Sequence, residues 1–179
     1  MKCTYKIEKE DLLEFQLYIA SKSEVLVKKR RNSRALLVAA STLFAGYFFT
    51  SDELIMGIYF SVMVVLFILF YYNYFSWKQK LNYGRFIKAN YSSRFGMEET
   101  LETFPDKLFV KDKFGEGDVK ESELNNIVEI ESHFFINLKS GSSLIVPKTQ
   151  VDSKELKKEL TRLKTPFVEE FTWLWKTAM

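Results

Sequence analysis

The side chains that could do chemistry in this chain are few. Glu98 and Glu99 are adjacent carboxylates, and Glu129 and Glu131 stand two residues apart; paired carboxylates are the least that general acid and base work requires. Glu129 and Glu131 fall at alternate positions of a β-rich segment, where a solvent-facing strand side explains both without any reaction. His133, the only histidine, lies beside Ser132 between two apolar runs. It reads as a polar residue of a hairpin turn rather than a general base, and a single histidine excludes a multi-histidine metal centre. Cys3 is the only cysteine, so neither an intrachain disulfide nor a multi-thiolate site can form. The seven glycines are scattered, with no phosphate-cradling loop and no Gly-x-Ser-x-Gly nucleophile turn. Lys120, Lys139 and Lys148 could rim a head-group site, but as solvated lysines they need no ligand. Gly115 and Gly117 bracket Glu116 in a loop tip, where a turn requirement accounts for both. No catalytic, cofactor-binding or metal-binding residue is assigned, and the chain is read as a non-enzyme.

What must be positioned instead is a pair of apolar blocks. Between Arg34 and Lys78 the only charged residues are Asp52 and Glu53. Ala35 to Thr50 is slightly shorter than the roughly 17 to 25 residues of a spanning helix, and Leu54 to Tyr74 is comfortably long. Arg34 snorkelling outward would extend the first block. Backbone amides cannot stay unpaired in hydrocarbon, so both blocks must be helical, with the turn at Ser51, Asp52 and Glu53. Lys28, Lys29, Arg30, Arg31 and Arg34 precede the hairpin; Trp77, Lys78, Lys80, Arg85 and Lys88 follow it; the turn has no cation. The positive-inside rule then places both termini in the cytoplasm of a two-span protein of the cell membrane, with Tyr71, Tyr72, Tyr74 and Trp77 as an inner aromatic belt. Ser41, Thr42 and Ser61 are expected to bond back to their own helices. No ionisable residue sits in mid-span to suggest an ion or proton path.

The net charge of +3 is modest, and much of the positive charge lies beside the apolar blocks. Anionic head groups explain it without nucleic acid. The lipid bilayer is the first partner expected. Sixteen per cent aromatic residues, seventeen of them Phe, suit lipid-facing helices and a compact sheet core.

Five segments follow along the chain. Residues 1–34 hold a strand, in which Cys3, Tyr5 and Ile7 alternate with polar residues, and a helix from Asp11 to about Arg31 with a break at Ser21, Lys22 and Ser23. Residues 35–75 are the hairpin, and 76–95 a basic helical stalk with Gly96 as its stop. Residues 96–165 read as six strands, Glu98 to Phe104, Lys107 to Asp112, Gly117 to Glu121, Ile127 to Glu131, Phe134 to Leu138 and Ser143 to Val146. One helical turn is expected over Ser122 to Asn126. A C-terminal helix follows, capped by Asp152 with Glu155 three residues on. Seventy residues make a marginal core, so Lys2 to Ile7 is predicted to dock onto this sheet. Residues 166–179 form an aromatic tail with Phe167, Val168, Phe171, Leu174 and Trp175 at helical spacing, either an interfacial anchor or a segment packed on the stalk. The fold class expected is an α+β membrane protein, a transmembrane helical hairpin plus a small antiparallel β-sheet or partial barrel with a C-terminal helix.

The layout as a whole resembles the bacterial YcxB-like family. The likeness runs from KIEKEDLLEFQLY through the hairpin and stalk to GMEETLETFPDKLFVKDKFGEGDVKESELNNIVEIESHFFINLKSGSSLIVPKTQV and the capped helix. EDLLEF, FGEGDVKESELNNI and LIVPK are its most recognisable pieces. Glu121 stands where the family often has an aromatic, and the tail after Pro166 has no counterpart. The resemblance implies a pleckstrin-homology-like C-terminal domain and no established activity. Two functional readings follow. One is a membrane-tethered module whose cytoplasmic domain binds a protein or lipid. The other is a structural or accessory subunit of a membrane complex, or a homo-oligomer packed through Ala39, Ala40, Ala45 and Gly46, small residues that let helices approach.

Overall fold

A computed structural model describes residues 1–175. The chain divides into two compact units: Met1–Gln16 with Tyr83–Leu174, and Leu17–Asn82 with Trp175.

The first unit is the β unit. Strand β1 (Lys2–Ile7) has the alternating burial its sequence announces, with Cys3, Tyr5 and Ile7 inside. It pairs antiparallel with β2 (Met97–Thr103), setting Tyr5 opposite Glu99. The predicted docking of the N-terminal strand is therefore observed. Strands β3 (Lys107–Lys111) and β4 (Glu116–Lys120) complete a four-stranded sheet in the order β1-β2-β3-β4. A 3-10 turn at Glu121–Glu123 leads into β5 (Leu124–Glu129), three residues earlier than the strand expected at Ile127. With β6 (His133–Leu138), β7 (Ser143–Pro147) and a short strand β8 (Phe167–Glu169) it makes a second sheet, ordered β7-β6-β5-β8.

The strands thus form two separate sheets. The Gln150 side chain joins them: its Oε1 accepts from the Lys6 amide at 2.8 Å and its Nε2 donates to the Lys6 carbonyl at 2.9 Å. A side-chain amide so occupies the place of a neighbouring strand on the open edge of β1.

In β5 and β6 polar and apolar residues do not alternate in burial; residues 127–130 and 133–136 are all buried. Unbroken burial means both faces are covered. Helix α1 (Lys9–Lys22) covers one face through its residues 9–16, with the Phe15 ring 5.2 Å from that of Phe135. The other face carries α4 (Ser153–Arg162), whose Leu156 and Leu160 are buried. Its N-cap is Asp152 as the sequence predicts, accepting from the Lys154 and Glu155 amides at 3.1 Å. The beginning of the aromatic tail is a strand and not a helix: β8 runs parallel to β5, with Ile127 beside Phe167.

The second unit is built on two long helices. Residues 17–22 of α1 end at Ser23, where the backbone leaves helical geometry (φ −78°, ψ 108°). Helix α2 (Glu24–Thr50) then continues through the basic residues into the first apolar block as one rod of 27 residues. Asp52 makes the turn with a φ of 58°, a left-handed conformation that Asp tolerates better than most side chains. Helix α3 (Leu54–Tyr91) is unbroken from the second apolar block through the predicted stalk, and its residues 83–91 belong to the β unit.

Candidate membrane interface

Two helices here are long and apolar enough to cross a membrane, α2 and α3. Only 11% of the residues in each apolar window are buried, so neither helix is a core helix within this chain. Leu36, Leu43, Ile55 and Leu69 are each more than 60% exposed, side chains that water would reject and lipid would accept. Where the two rods face each other they hold together through rings: Phe60 stacks on Phe44 and Phe48 with centroids 5.2 and 5.5 Å away. Gly57 lies so close to Phe49 that a Cβ there would stand 2.7 Å from the ring. Of the small residues noted in the sequence, Ala45 is buried, whereas a Cβ added at Gly46 would meet nothing within 4 Å. The near approach within the hairpin is thus made at Gly57, which sequence reasoning missed. As expected, Thr42 and Ser61 spend their hydroxyls on their own helices, donating to the carbonyls of Val38 and Gly57.

The basic residues predicted to flank the hairpin separate into two groups. Lys28, Lys29 and Arg31 are exposed on the first turns of α2. Arg30 and Arg34, one turn apart, both reach across to α3 and bracket the Tyr72 ring, their guanidinium carbons 4.7 and 4.6 Å from its centroid. Arg34 also donates to the Ile68 carbonyl at 3.0 Å, so it folds inward over the hairpin instead of snorkelling outward. Spacing of four on one helix aims both cations at one aromatic of its neighbour; Tyr72 alone gives no sign of this in the sequence. Arg30 is 9% exposed and its Nη1 has no hydrogen-bond partner among the described residues. On α3, Trp77 and Tyr74 project outward at 62% and 53% exposure, Lys78 lies over the Tyr74 ring, and Lys80 is exposed. Tyr71 is buried, so the expected belt keeps only two of its four rings on the outside. Arg85 and Lys88 are exposed on the part of α3 that belongs to the β unit. Trp175 donates its indole N–H to the Ser76 carbonyl at 3.0 Å, which ties this tail residue to α3 as a packed group.

Two polar clusters inside the β unit differ from what the sequence suggests. His133 is not a turn residue: it opens β6 and is 4% exposed, stacked on Phe135. Its Nε2 lies 2.8 Å from Asp11 Oδ1 and its Nδ1 lies 2.9 Å from Ser132 Oγ. Ser132 donates its single hydroxyl hydrogen to Glu14 Oε1 at 2.7 Å. The constellation has the members of a Ser-His-Asp triad, but the serine hydroxyl hydrogen is turned to Glu14 and not to the ring. It fastens α1 to the second sheet. Asp11 Oδ2 also accepts from the Glu8 amide at 2.7 Å, capping the start of the same helix.

Glu129 is the second departure. It does not face solvent but is 4% exposed, whereas Glu131 is exposed as expected. Lys148 Nζ donates to Glu129 Oε1 at 2.6 Å. Lys157 Nζ stands 2.7 Å from Oε2, within ion-pair range but outside hydrogen-bond angles, and 2.7 Å from Glu169 on β8. Both ammonium groups lie over Phe171, at 5.0 and 5.2 Å from its centroid. Lys148 is therefore not one of a set of scattered solvated lysines, and Glu129 is the ion-pair partner of Lys148 and Lys157. The carboxylates of Glu129 and Glu169 beside it hold the Lys157 ammonium above its ordinary range. Near the first sheet, burial raises the Glu99 carboxyl, with Asp112 adding to the effect, and pushes the Tyr5 hydroxyl facing it well up.

No family model matches the chain, and neither a curated protein nor a solved structure matches it.

Proposed function

We propose that the chain is a membrane-tethered interaction module, without enzymatic activity, whose hairpin crosses the cell membrane and whose β unit binds a protein or lipid on the cytoplasmic side. The observation that carries this reading is the uncovered apolar surface of α2 and α3, bounded at one end by cations and at the other by an uncharged-to-acidic turn. Such a surface is costly in water, and the charge asymmetry favours an orientation with both termini inside. The resemblance to YcxB-like proteins and their pleckstrin-homology-like domains agrees with two small sheets and a C-terminal helix, and belongs to the same proposal.

The test replaces residues 35–75 with an unrelated two-span hairpin. A tethered module keeps its co-purifying partner at the membrane, and loss of the partner overturns the reading. The second reading, a structural subunit or homo-oligomer, is favoured by one feature: an apolar groove of about 420 Å3 along Ala40, Leu43, Phe44 and Tyr47 on α2. It predicts that the replacement dissolves the complex.

A further inference from the structure

Between residues 22 and 34 stand six cations and a single carboxylate, Glu24. Lys28, Lys29, Arg30, Arg31 and Arg34 have no carboxylate partner among the described residues. Arg30 and Arg34 are taken up by Tyr72. Lys28 and Arg31, three apart and so on one helix face, instead line a cavity of about 490 Å3 with Ser21, Lys22, Glu24 and Val27. We propose that this cavity binds the phosphate-bearing head group of an anionic phospholipid. The inference rests on the membrane reading above and names a ligand for it.

The depth of the cavity points to a lipid. At 1.5 Å per residue, Arg31 lies about 6 Å and Lys28 about 10 Å beyond Ala35, where the apolar block begins. The head-group layer on each side of a bilayer is about 5 to 8 Å thick. Arg31 therefore stands within the head-group layer and Lys28 just past it on the water side, where a glycerol or sugar head would lie. Arg31 offers a planar fork to two phosphate oxygens, and Lys28 a point charge from one turn away. Val27 supplies an apolar wall. Glu24, about 16 Å beyond Ala35 by the same rise, stands past the phosphate level and can accept from a head-group hydroxyl.

The full chain, extracted in detergent and stripped of lipid, is titrated with phosphatidylglycerol or phosphatidylcholine, and bound lipid is counted by native mass spectrometry. The expected result is a preference for phosphatidylglycerol that falls about tenfold in Arg31→Gln and about threefold in Arg31→Lys, which keeps the charge but loses the fork. Lys29→Gln removes an equal charge outside the cavity and should leave the preference within about twofold. Equal losses in Arg31→Gln and Lys29→Gln, or no effect of Arg31→Lys, would mean diffuse attraction and overturn the site. Displacement of the lipid by millimolar inorganic phosphate would assign the oxyanion to a soluble source and overturn the lipid assignment. Flotation with pure phosphatidylcholine vesicles reports insertion separately. A protein that floats without head-group preference loses this site alone; one that does not float loses the membrane reading with it.

Discussion

Glu129 pairs with Lys148, whose side chain is 14% exposed, and with Lys157, which is 35% exposed and also held by Glu169, so its removal strands Lys148 above all. Glu129→Ala is expected to cost about 3 to 5 kcal/mol, as breaking a buried ion pair from one side does. Because Lys157 also holds Glu169, the loss should appear first as faster amide exchange in β8, measured on the intact protein in detergent micelles. Unchanged exchange at Phe167–Glu169 would show that the cluster does not fasten that strand. Glu99 behaves in the opposite way. Burial and Asp112 raise its folded-state carboxyl above the ordinary 4.5, so the fold favours the neutral form. Its contribution to stability is fully present below pH 4.5 and is lost as pH rises through the folded value. Glu99→Gln keeps a neutral side chain opposite Tyr5 at every pH. The melting temperature of the variant should therefore gain on that of the parent as pH rises from 4.5 and then level off; a constant difference across that range would refute the assignment.

At the scale of elements, Gln150 ties the open edge of β1 to the turn that follows β7, where β1 and β7 also approach each other. Gln150→Ala removes both hydrogen bonds to Lys6, and since the site is exposed, water replaces them; a loss of about 1 kcal/mol follows. Exchange of the Lys6 amide should accelerate while those of Cys3 and Tyr5, protected by β2, stay slow. Equal acceleration along β1 would mean that Gln150 holds the whole strand. The elements that the sequence announces are those whose signal is local. The charge-free blocks of α2 and α3, the period-two burial of β1 and the Asp152 cap each depend on neighbours within one or two turns. What escapes is decided at long range. Glu129 in an alternating Glu-Ile-Glu run looks the same whether solvent or two lysines from later in the chain face it. The start of the tail has a spacing compatible with a helix, and becomes β8 only because the open edge of β5 offers hydrogen bonds to Phe167–Glu169. Arg34 carries the composition of a snorkelling residue, and turns inward because Tyr72 presents a ring one helix away.

For the whole molecule, the decisive question is on which side of a bilayer each part lies, and the chain is suited to answering it. Cys3 is its only cysteine and is buried against β2, so background labelling by a membrane-impermeant maleimide should be low. Ser51→Cys places a thiol in the exposed turn between α2 and α3, and Lys88→Cys places one near the end of α3. If the cations hold both termini inside, intact cells should label Ser51→Cys at once and Lys88→Cys only after permeabilisation. Reversing the charge asymmetry should test the cause as well as the arrangement. Moving cations into the turn by Asp52→Lys and Glu53→Lys, with Lys28, Lys29 and Arg31 changed to Gln, weakens the inside bias from both ends, and a share of molecules should then label with the opposite pattern. Arg30 and Arg34 are left in place because they pack on Tyr72, so any inversion reports charge at the interface and not damage to the hairpin. Labelling of Lys88→Cys in intact cells carrying the native flanks would place the β unit outside and end the reading of a cytoplasmic module.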